Sequence, residues 1–571
     1  MPKIWKIRKA TFPPQLSDAF NISPLVLRLL AIRGVDTPEK IHQFLHGSQS
    51  DLHQPMLLQD MEKAVKRIFQ AKEKGERVLL YGDYDVDGVT SVVLLSKLFD
   101  ELHLPFSYHH PDRLNEGYGF HLSGIEMARA KGASLVITAD CGITNYDTVE
   151  AARLMGIDVI VTDHHKVVGK IPEAVAVINP QREDCVYPYK HLAGVGVVLK
   201  LVQAVFQQLN PSLSLGEYLE IAALGTVVDV VPITGENRII TKLGLEVMDT
   251  QLNQGIVAIR KLAGLLGKNL NCGHIGFQIG PRLNAAGRLS RAGLATELLL
   301  ASDEKKIAEI ATCLDAENTK RRSLQDEMTE TAAREIERHP EIHSGKVLVI
   351  SGEGWHPGIV GLVASQLQET YYKPSIVITT EDGIGHGSAR SIPEFHIFNA
   401  LQQLSPLLLK FGGHSQAAGL TIEGSHIGLL RQQINQIADE ILVGDNLIPK
   451  LDIDLTVDLA ELTIRSIEEI DLLQPFGYGN PAPVLAAFKC RLKTAPRCFG
   501  HGGRHLKFRL ADSMDQTFDC IGWNMANRVA ECKANLLDIA FKPYINEWNG
   551  QRNIQLEIKD LRPSGEASSI F

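Results

Sequence analysis

Between about residue 75 and residue 235 the chain repeats one pattern: a short apolar run that breaks off into a polar cluster and continues as a helix-like segment. RVLLY leads into GDYDVDG and TSVVLLSKLFDEL, SLVITAD into CGI and TNYDTVEAARLMG, and DVIVTDHH into a loop and AVAVINP. This alternation of strand and helix signals predicts a mainly parallel sheet with helices on its faces. Every polar cluster then follows a strand, and ligands of open α/β sheets collect at the carboxyl ends of the strands.

Several of those clusters are acidic. Asp83, Asp85 and Asp87 alternate in YGDYDVDGVTS, Asp140 follows in ITADCGI, and Asp163, His164 and His165 follow in VTDHH. Asp229 closes a further apolar run in LGTVVDVVP. The first cluster opens like a calcium-binding EF-hand loop, but its twelfth position, which should be a bidentate glutamate, is Leu94. It also follows a strand signal where an EF-hand requires a helix. Gly88 reads instead as the turn into a helix that Thr90 and Ser91 begin. One aspartate at a strand end commonly caps the next helix. Several on neighbouring strand ends repel one another and raise their own pKa values unless a cation sits among them. Carboxylates with imidazole, and no thiolates arranged around them, suit Mn2+ or Mg2+ better than structural zinc. Two such ions about 3.5–4 Å apart are the usual apparatus for hydrolysing a phosphoester.

The rest of the chain divides by pattern. Residues 303–340 lack glycine and have proline only at the end, while Ile307, Ile310, Leu314, Leu324, Met328 and Ala332 recur at helical spacing. They predict a long, largely exposed helix between two lobes. GKVLVI opens a second α/β pattern that runs to about residue 445. LDIDLTVDL, VLAAFKCRL, HLKFRLA, TFDCIGW and NIQLEIKDL then alternate like the strands of a small β-barrel. A net charge of −9 gives no global sign of nucleic-acid binding. Residues 484–511 nevertheless carry seven basic side chains and no acidic one, interleaved with Phe488, Phe499 and Phe508, and a local basic groove is enough to hold a phosphate backbone. The 571 residues allow three or four domains. MPKIWKIRKATFPP has no apolar run behind it, and HLAGVGVVLKLVQAVF is broken by Lys200 and too short to span a bilayer. The eight cysteines show no CxxC pair. A cytoplasmic protein is expected, with no membrane span, disulfide framework or zinc ribbon.

VTDHH, with DYDVDG and ADCGI before it, resembles the signature of the DHH phosphoesterase superfamily. GPRLNAAGRL at 280–289, WHPGIVGLVAS at 355–365, HGSARSIP at 386–393, FGGHSQAAG at 411–419 and PFGYGNPAP at 475–483 resemble, in this order, the RecJ family within it. Members of that family are single-strand-specific 5′→3′ DNA exonucleases of bacteria, and the resemblance covers about residues 40 to 565. It implies an α/β fold of two lobes, a DHH domain with a mainly parallel sheet and a DHH-associated domain, joined by a long helix and followed by an OB-fold-like β-barrel. The expected boundaries are an N-terminal extension at 1–45, the DHH domain at 46–240, a helical connector at 241–342, the DHH-associated domain at 343–447 and the barrel at 448–565.

The resemblance also assigns roles. It implies that Asp85, Asp87, Asp140, His164 and Asp229 hold two Mn2+ or Mg2+ ions, with Asp140 bridging them, and it leaves Asp83 open. His165 would stand near the scissile phosphate and the attacking water, and Asp163 would orient its neighbours. Ser388 and Arg390 would grip the 5′-terminal phosphate, while Gly412 and Gly413, before His414, would let backbone come close to a phosphate. Arg113 and Tyr118 would line the path of the strand. Arg288 is a further phosphate contact, and Arg282 a weaker candidate. Arg504 and Lys507 of the barrel would hold nucleic acid. Ala389 stands where glycine is common in the family, a change that leaves Ser388 and Arg390 in place. The implied partners are single-stranded DNA with a 5′ end, a single-strand binding protein and a RecQ-type helicase, with the chain a monomer acting in recombination and mismatch repair. Two alternatives stay open. One is a superfamily enzyme for short oligonucleotides or cyclic dinucleotides, which generally needs only the two α/β lobes. The other is a non-catalytic single-strand-binding scaffold, whose signature would be the loss of the metal-binding aspartates.

Overall fold

The computed structural model describes residues 3–9, 20–113, 115–209, 215–289, 292–512, 514–548 and 550–565. The chain forms two compact units, one of residues 51–447 with 477–479, the other of residues 1–50, 448–476 and 480–571. No helix among the described residues is long and apolar enough to cross a membrane.

The larger unit begins with the expected parallel sheet. Its five strands lie in the spatial order Phe106–His109, Arg77–Gly82, Ala133–Ala139, Asp158–Thr162 and Ala176–Ile178, each parallel to its neighbours. Their apolar residues are consecutive because both faces are covered. Val78, Leu80, Leu135, Ile137 and Ile160 pack with the helices Met61–Lys74, Val86–Leu102 and Gly194–Leu209. Leu79, Tyr81, Val136, Val159 and Val161 face the helices Leu122–Ala130 and Tyr146–Leu154. Gly82 is level with Ala139, and Ala139 with Thr162, so the three central strands end together. The ladder continues for one residue: the Asp83 N–H donates to the Ala139 carbonyl at 3.1 Å, and the Asp140 N–H to that of Thr162 at 3.0 Å.

Two local expectations are corrected here. The helix after the first acidic cluster starts at Val86, ahead of Thr90, because Asp85 caps it by accepting from the N–H groups of Asp87 and Gly88 at 2.9 and 3.1 Å. Gly88 therefore lies in the first helical turn. Its role is close approach, since a Cβ there would stand 2.4 Å from the Asp83 carbonyl oxygen. The apolar run before Asp229 is the helix Gly216–Val228, with Asp229 at its C-terminal cap and Val230 at a φ of 63°.

Glu304–Arg338 is one helix of 35 residues, started by Asp303, whose carboxylate accepts from the Lys306 N–H at 2.7 Å. Ile307, Ile310, Leu314, Met328 and Ala332 form its buried stripe, and most of its other residues face solvent. It leads to a mixed sheet in the order Leu408–Gly413, Ala417–Glu423, Ile384–Arg390, Ser375–Glu381 and Leu348–Glu353. The helix Gly235–Asp249 spans position 240, so the boundary expected there falls inside an element.

The smaller unit is a closed barrel. Leu485–Phe499, His505–Ala511, Thr517–Gly522, Gln551–Pro563 and Leu536–Trp548 pair in turn, and the last pairs back to the first. The N-terminal segment is part of this unit and not an extension. Ile4–Ile7 adds in parallel to Lys450–Ile453. Leu25, Leu27 and Leu30 of the helix Pro24–Ile32, with Ile41 and Leu45 of Pro38–His46, share one core with Leu459, Leu473 and Phe541.

Candidate metal centre

Three level strand ends and one helix end deliver their polar residues to one place. His164 Nε2 lies 3.1 Å from Asp140 Oδ1, 3.6 Å from Asp229 Oδ2 and 3.8 Å from Asp87 Oδ2. Three overlapping groups stand within reach of a metal ion: Asp83 with Asp85 and Asp140, Asp87 with His164 and Asp229, and Asp140 with His164 and His165. Asp140 belongs to two of them, at a φ of 62° that is strained for a residue with a side chain. Asp87 is wholly buried and accepts from the N–H groups of Gly194 and Val195 at 2.7 and 2.8 Å, at the start of the helix Gly194–Leu209. That helix approaches so closely that a Cβ on Gly194 would stand 2.7 Å from Asp140 Oδ1.

The remaining valences of these atoms point to a cation. Asp83 Oδ1, Asp140 Oδ1, Asp229 Oδ2 and His164 Nε2 are buried without a hydrogen-bond partner, a state that costs about 1–3 kcal/mol per group. Burial, then repulsion from neighbouring carboxylates, pushes Asp87 up to about 7 and raises Asp83, Asp140 and Asp229 well above the carboxylate range. Burial lowers His164 to about 4, so its ring is neutral. Hard oxygens and a neutral imidazole gathered in this way fit divalent cations, which would return the carboxylates to their charged form. Asp83 shares one of the three groups with Asp85 and Asp140.

Asp163 is of another kind. Its Oδ1 accepts from the N–H groups of His164 and His165 at 2.7 and 3.0 Å and from His165 Nδ1 at 2.8 Å, and its Oδ2 from the Ile143 N–H at 2.9 Å. Burial works against the charge of Asp163, but these bonds outweigh it and hold its pKa low; burial likewise opposes the charge of His165, and its bond and attraction to Asp163, helped by the other nearby carboxylates, raise its pKa all the same. The Tyr118 hydroxyl lies 2.9 Å from the same His165 nitrogen. Two further supports have no counterpart among the sequence candidates. His110 Nδ1–H donates to the Asp83 carbonyl at 2.8 Å while Nε2 accepts from the Thr296 hydroxyl at 2.8 Å, and Asn284 accepts from the Val86 N–H at 3.1 Å. His110 follows the strand Phe106–His109, so the rule that flagged Asp83 and Asp140 also reaches it; Asn284 carries no such signal.

Beside the carboxylates lies a region of opposite charge. Arg390 Nη1 donates to Ser388 Oγ at 3.0 Å and to the Ala389 carbonyl at 2.8 Å. The Arg288 Nη1 contact to the Gly358 carbonyl is 3.4 Å, and the Arg113 guanidinium lies 4.9 Å from the centre of the Tyr84 ring. Burial lowers Arg288 to about 10, helped by repulsion from Arg113, Arg321 and Arg390. Burial and Arg113 lower Arg390. Gly412 pairs with Gly419, and Gly419 with Ser388, so Gly412 and Ser388 share one row of the second sheet. Gly413, at a φ of 146°, and His414 follow at the exposed end of that edge strand. Arg282 is a correction: its Nε donates to Asp315 at 2.8 Å and its Nη1 to the Gln278 carbonyl at 2.7 Å, so it ties its own helix to the long one.

In the smaller unit Arg504 and Lys507 are exposed. The basic stretch around them is less free than its composition suggests, because Arg491 and Lys493 pair with Asp515, and Arg509 with Asp519. Phe508 is a core residue, buried at 1% exposure. Phe499 packs against His505 at 5.3 Å and His505 against Trp523 at 4.9 Å, two aromatic partners that the sequence did not single out.

Comparison with known proteins agrees with this geometry. The class that the first sheet and its carboxyl edge define is the DHH family, whose N-terminal domain matches residues 77–226, accompanied by a DHHA1 domain at 344–440 and a RecJ OB domain at 453–560. The single-stranded-DNA-specific exonuclease RecJ of Bacillus subtilis (strain 168) is 37% identical, over 96% of this chain and 69% of that protein. RecJ of Escherichia coli (strain K12) is 34% identical, over 95% of this chain and 96% of that one. The crystal structure of RecJ in complex with Mn2+ from Thermus thermophilus superposes with a TM-score of 0.84 at 25% identity, covering 100% of this chain and 80% of that one. The chain belongs to the RecJ family.

Proposed function

We propose that this chain is a single-strand-specific DNA exonuclease of recombination and repair, hydrolysing phosphodiester bonds from the 5′ end with a pair of Mn2+ or Mg2+ ions and releasing 5′ mononucleotides. The observation that carries this reading is the set of unpartnered carboxylate and imidazole atoms beside arginines that form no ion pair among the described residues. The names of the relatives, single-stranded-DNA-specific exonucleases, and the Mn2+ of the Thermus structure support it. Asp85, Asp87, Asp140, His164 and Asp229 would hold the ions, Asp140 between them, with Asp83 completing the set. When bound, the ions supply Lewis acidity and lower the pKa of the attacking water.

The chain's own residues do the rest. Asp163 holds His165 by its Nδ1–H, which leaves Nε2 to exchange a proton at the attacking water, and Tyr118 steadies the ring. Arg390, Ser388 and Arg288 receive the 5′-terminal phosphate, for which the guanidinium fork offers two parallel hydrogen bonds. Arg113 lines the strand behind it. Gly412 and Gly413, with His414, bring backbone to the same phosphates. A terminal phosphate held there while the next linkage is cut explains the polarity, because each cut exposes a new 5′ phosphate. Arg504 and Lys507 hold the following nucleotides by charge. The enzyme works in the cytoplasm as a monomer, with a single-strand binding protein and a RecQ-type helicase as its partners.

Digestion of end-labelled single- and double-stranded DNA with Mn2+, Mg2+ or EDTA tests this. Mononucleotides should leave the 5′ end of single strands and EDTA should stop them; release from the 3′ end, or equal digestion of duplex, overturns it.

A further inference from the structure

Arg288, assigned above to the 5′ phosphate, also lines a further cavity of the larger unit, where Arg321 and Arg322 join it. Its volume is about 430 Å³, and its lining includes Phe277, Asn284, Arg288, Arg321, Arg322 and Gln366. Two of its lining residues adjoin the metal centre: Asn284 accepts from the N–H of Val86, next to Asp85, and Val228 precedes Asp229 in the chain. Arg321, 9% exposed, bonds only neutral amides, Gln325 Oε1 at 2.8 Å and Asn318 Oδ1 at 3.0 Å, and its Nε is buried without a partner. Among the described residues Arg288, Arg321 and Arg322 form no ion pair, and Glu369 is the one acid in the wall. Phe277 stands 79% exposed at this cavity, so its ring face is open to a ligand there.

We propose that this cavity binds a nucleoside 5′-monophosphate, the product of the hydrolysis proposed above, on which reading the inference rests. Arg321 and Arg322 supply the phosphate site, with Arg288 shared between it and the 5′-terminal phosphate site. Phe277 offers a face for the base, and the amide N–H groups of Asn284 and Gln366, whose oxygens accept from Val86 and Gln325, offer donors for its edge. The volume lies in the range of small-molecule sites, about 300–1,000 Å³. A bare anion would use the arginines and leave the exposed face of Phe277 without an occupant, which favours a nucleotide.

Equilibrium dialysis of the full chain in EDTA, with labelled 5′-dTMP, thymidine or inorganic phosphate, tests the cavity without any turnover. The expected result is that 5′-dTMP binds about tenfold or more tightly than either fragment. Phe277→Ala should weaken 5′-dTMP about tenfold and leave phosphate unchanged, and Arg322→Ala should weaken both. Both side chains are exposed, so neither variant should disturb folding. Binding of 5′-dTMP no tighter than phosphate, or unaltered by both substitutions, overturns the proposal. A chain that binds 5′-dTMP as described but fails to digest single strands would sink the exonuclease reading and leave the cavity standing.

Discussion

Asp163 and Asp140 show how differently two aspartates can serve one centre. Asp163 spends its acceptors on His164, His165 and Ile143, whereas Asp140 keeps an oxygen without a partner. Asp163→Asn should therefore lower kcat by about two orders of magnitude while single-strand affinity in EDTA stays the same; a loss of affinity alone would remove the orienting role. Gly194→Ala places a methyl against Asp140 and should weaken Mn2+ binding about tenfold or more, read by calorimetric titration beside an unchanged circular dichroism spectrum. Unaltered Mn2+ affinity would mean that the helix start can move away without consequence. Arg390→Ala should hurt 5′-phosphorylated strands most, and an equal loss on every 5′ end would count against the terminal-phosphate site. At this scale Asp83, Asp85, Asp87, Asp140, Asp163, His164 and His165 were legible, because each follows a strand signal, and Asp229 because it closes an apolar run. Arg321 was not, because it sits mid-helix among alternating charges where nothing local distinguishes it.

Elements explain what residues alone did not. The strand Ile4–Ile7 closes over the barrel: Trp5 is fully buried, its Nε1 donates to Asp560 at 2.7 Å, and the Arg562 guanidinium lies 4.1 Å from its ring centre. Trp5→Ala should cost about 3–5 kcal/mol, seen as an early denaturant transition assigned to the barrel while that of the larger unit stays in place. A single unchanged transition would refute the placement. Arg504→Ala with Lys507→Ala should reduce the slope of log affinity against log salt by roughly 1–2 for single-stranded DNA and leave kcat alone; an unchanged slope excludes them from the phosphate path. The barrel's alternating strands were readable in the sequence. Its partner segment was not, because some 440 residues separate Trp5 from Leu451, with which it pairs, and periodicity carries no information about pairing at that distance.

For the whole molecule, the charge held at the centre couples metal binding to stability. Asp87 is pushed up to about 7, and Asp83, Asp140 and Asp229 are raised as well, against about 4 for an unfolded aspartate. Carboxylates with raised pKa values favour the fold while they are protonated. The metal-free protein should thus lose stability as pH climbs from about 4 through about 7, and divalent ions, which need the charged form, should reverse the trend. Melting curves in EDTA and in Mn2+ check this: the gain in Tm on adding Mn2+ should be larger near pH 7.5 than near pH 5, to about half a pH unit, and an equal gain at both would exclude the coupling. The sequence by itself determined the parallel sheet and the acidic edge, because strand periodicity and the residue after each strand are local properties. Only the tertiary structure decided that Gly82, Ala139 and Thr162 end level, that Asp229 enters on a helix, that Arg282 is committed to Asp315 and that Arg288, Arg321 and Arg322 share one cavity. Those facts depend on register and on packing between segments far apart in the chain, which set which charges meet.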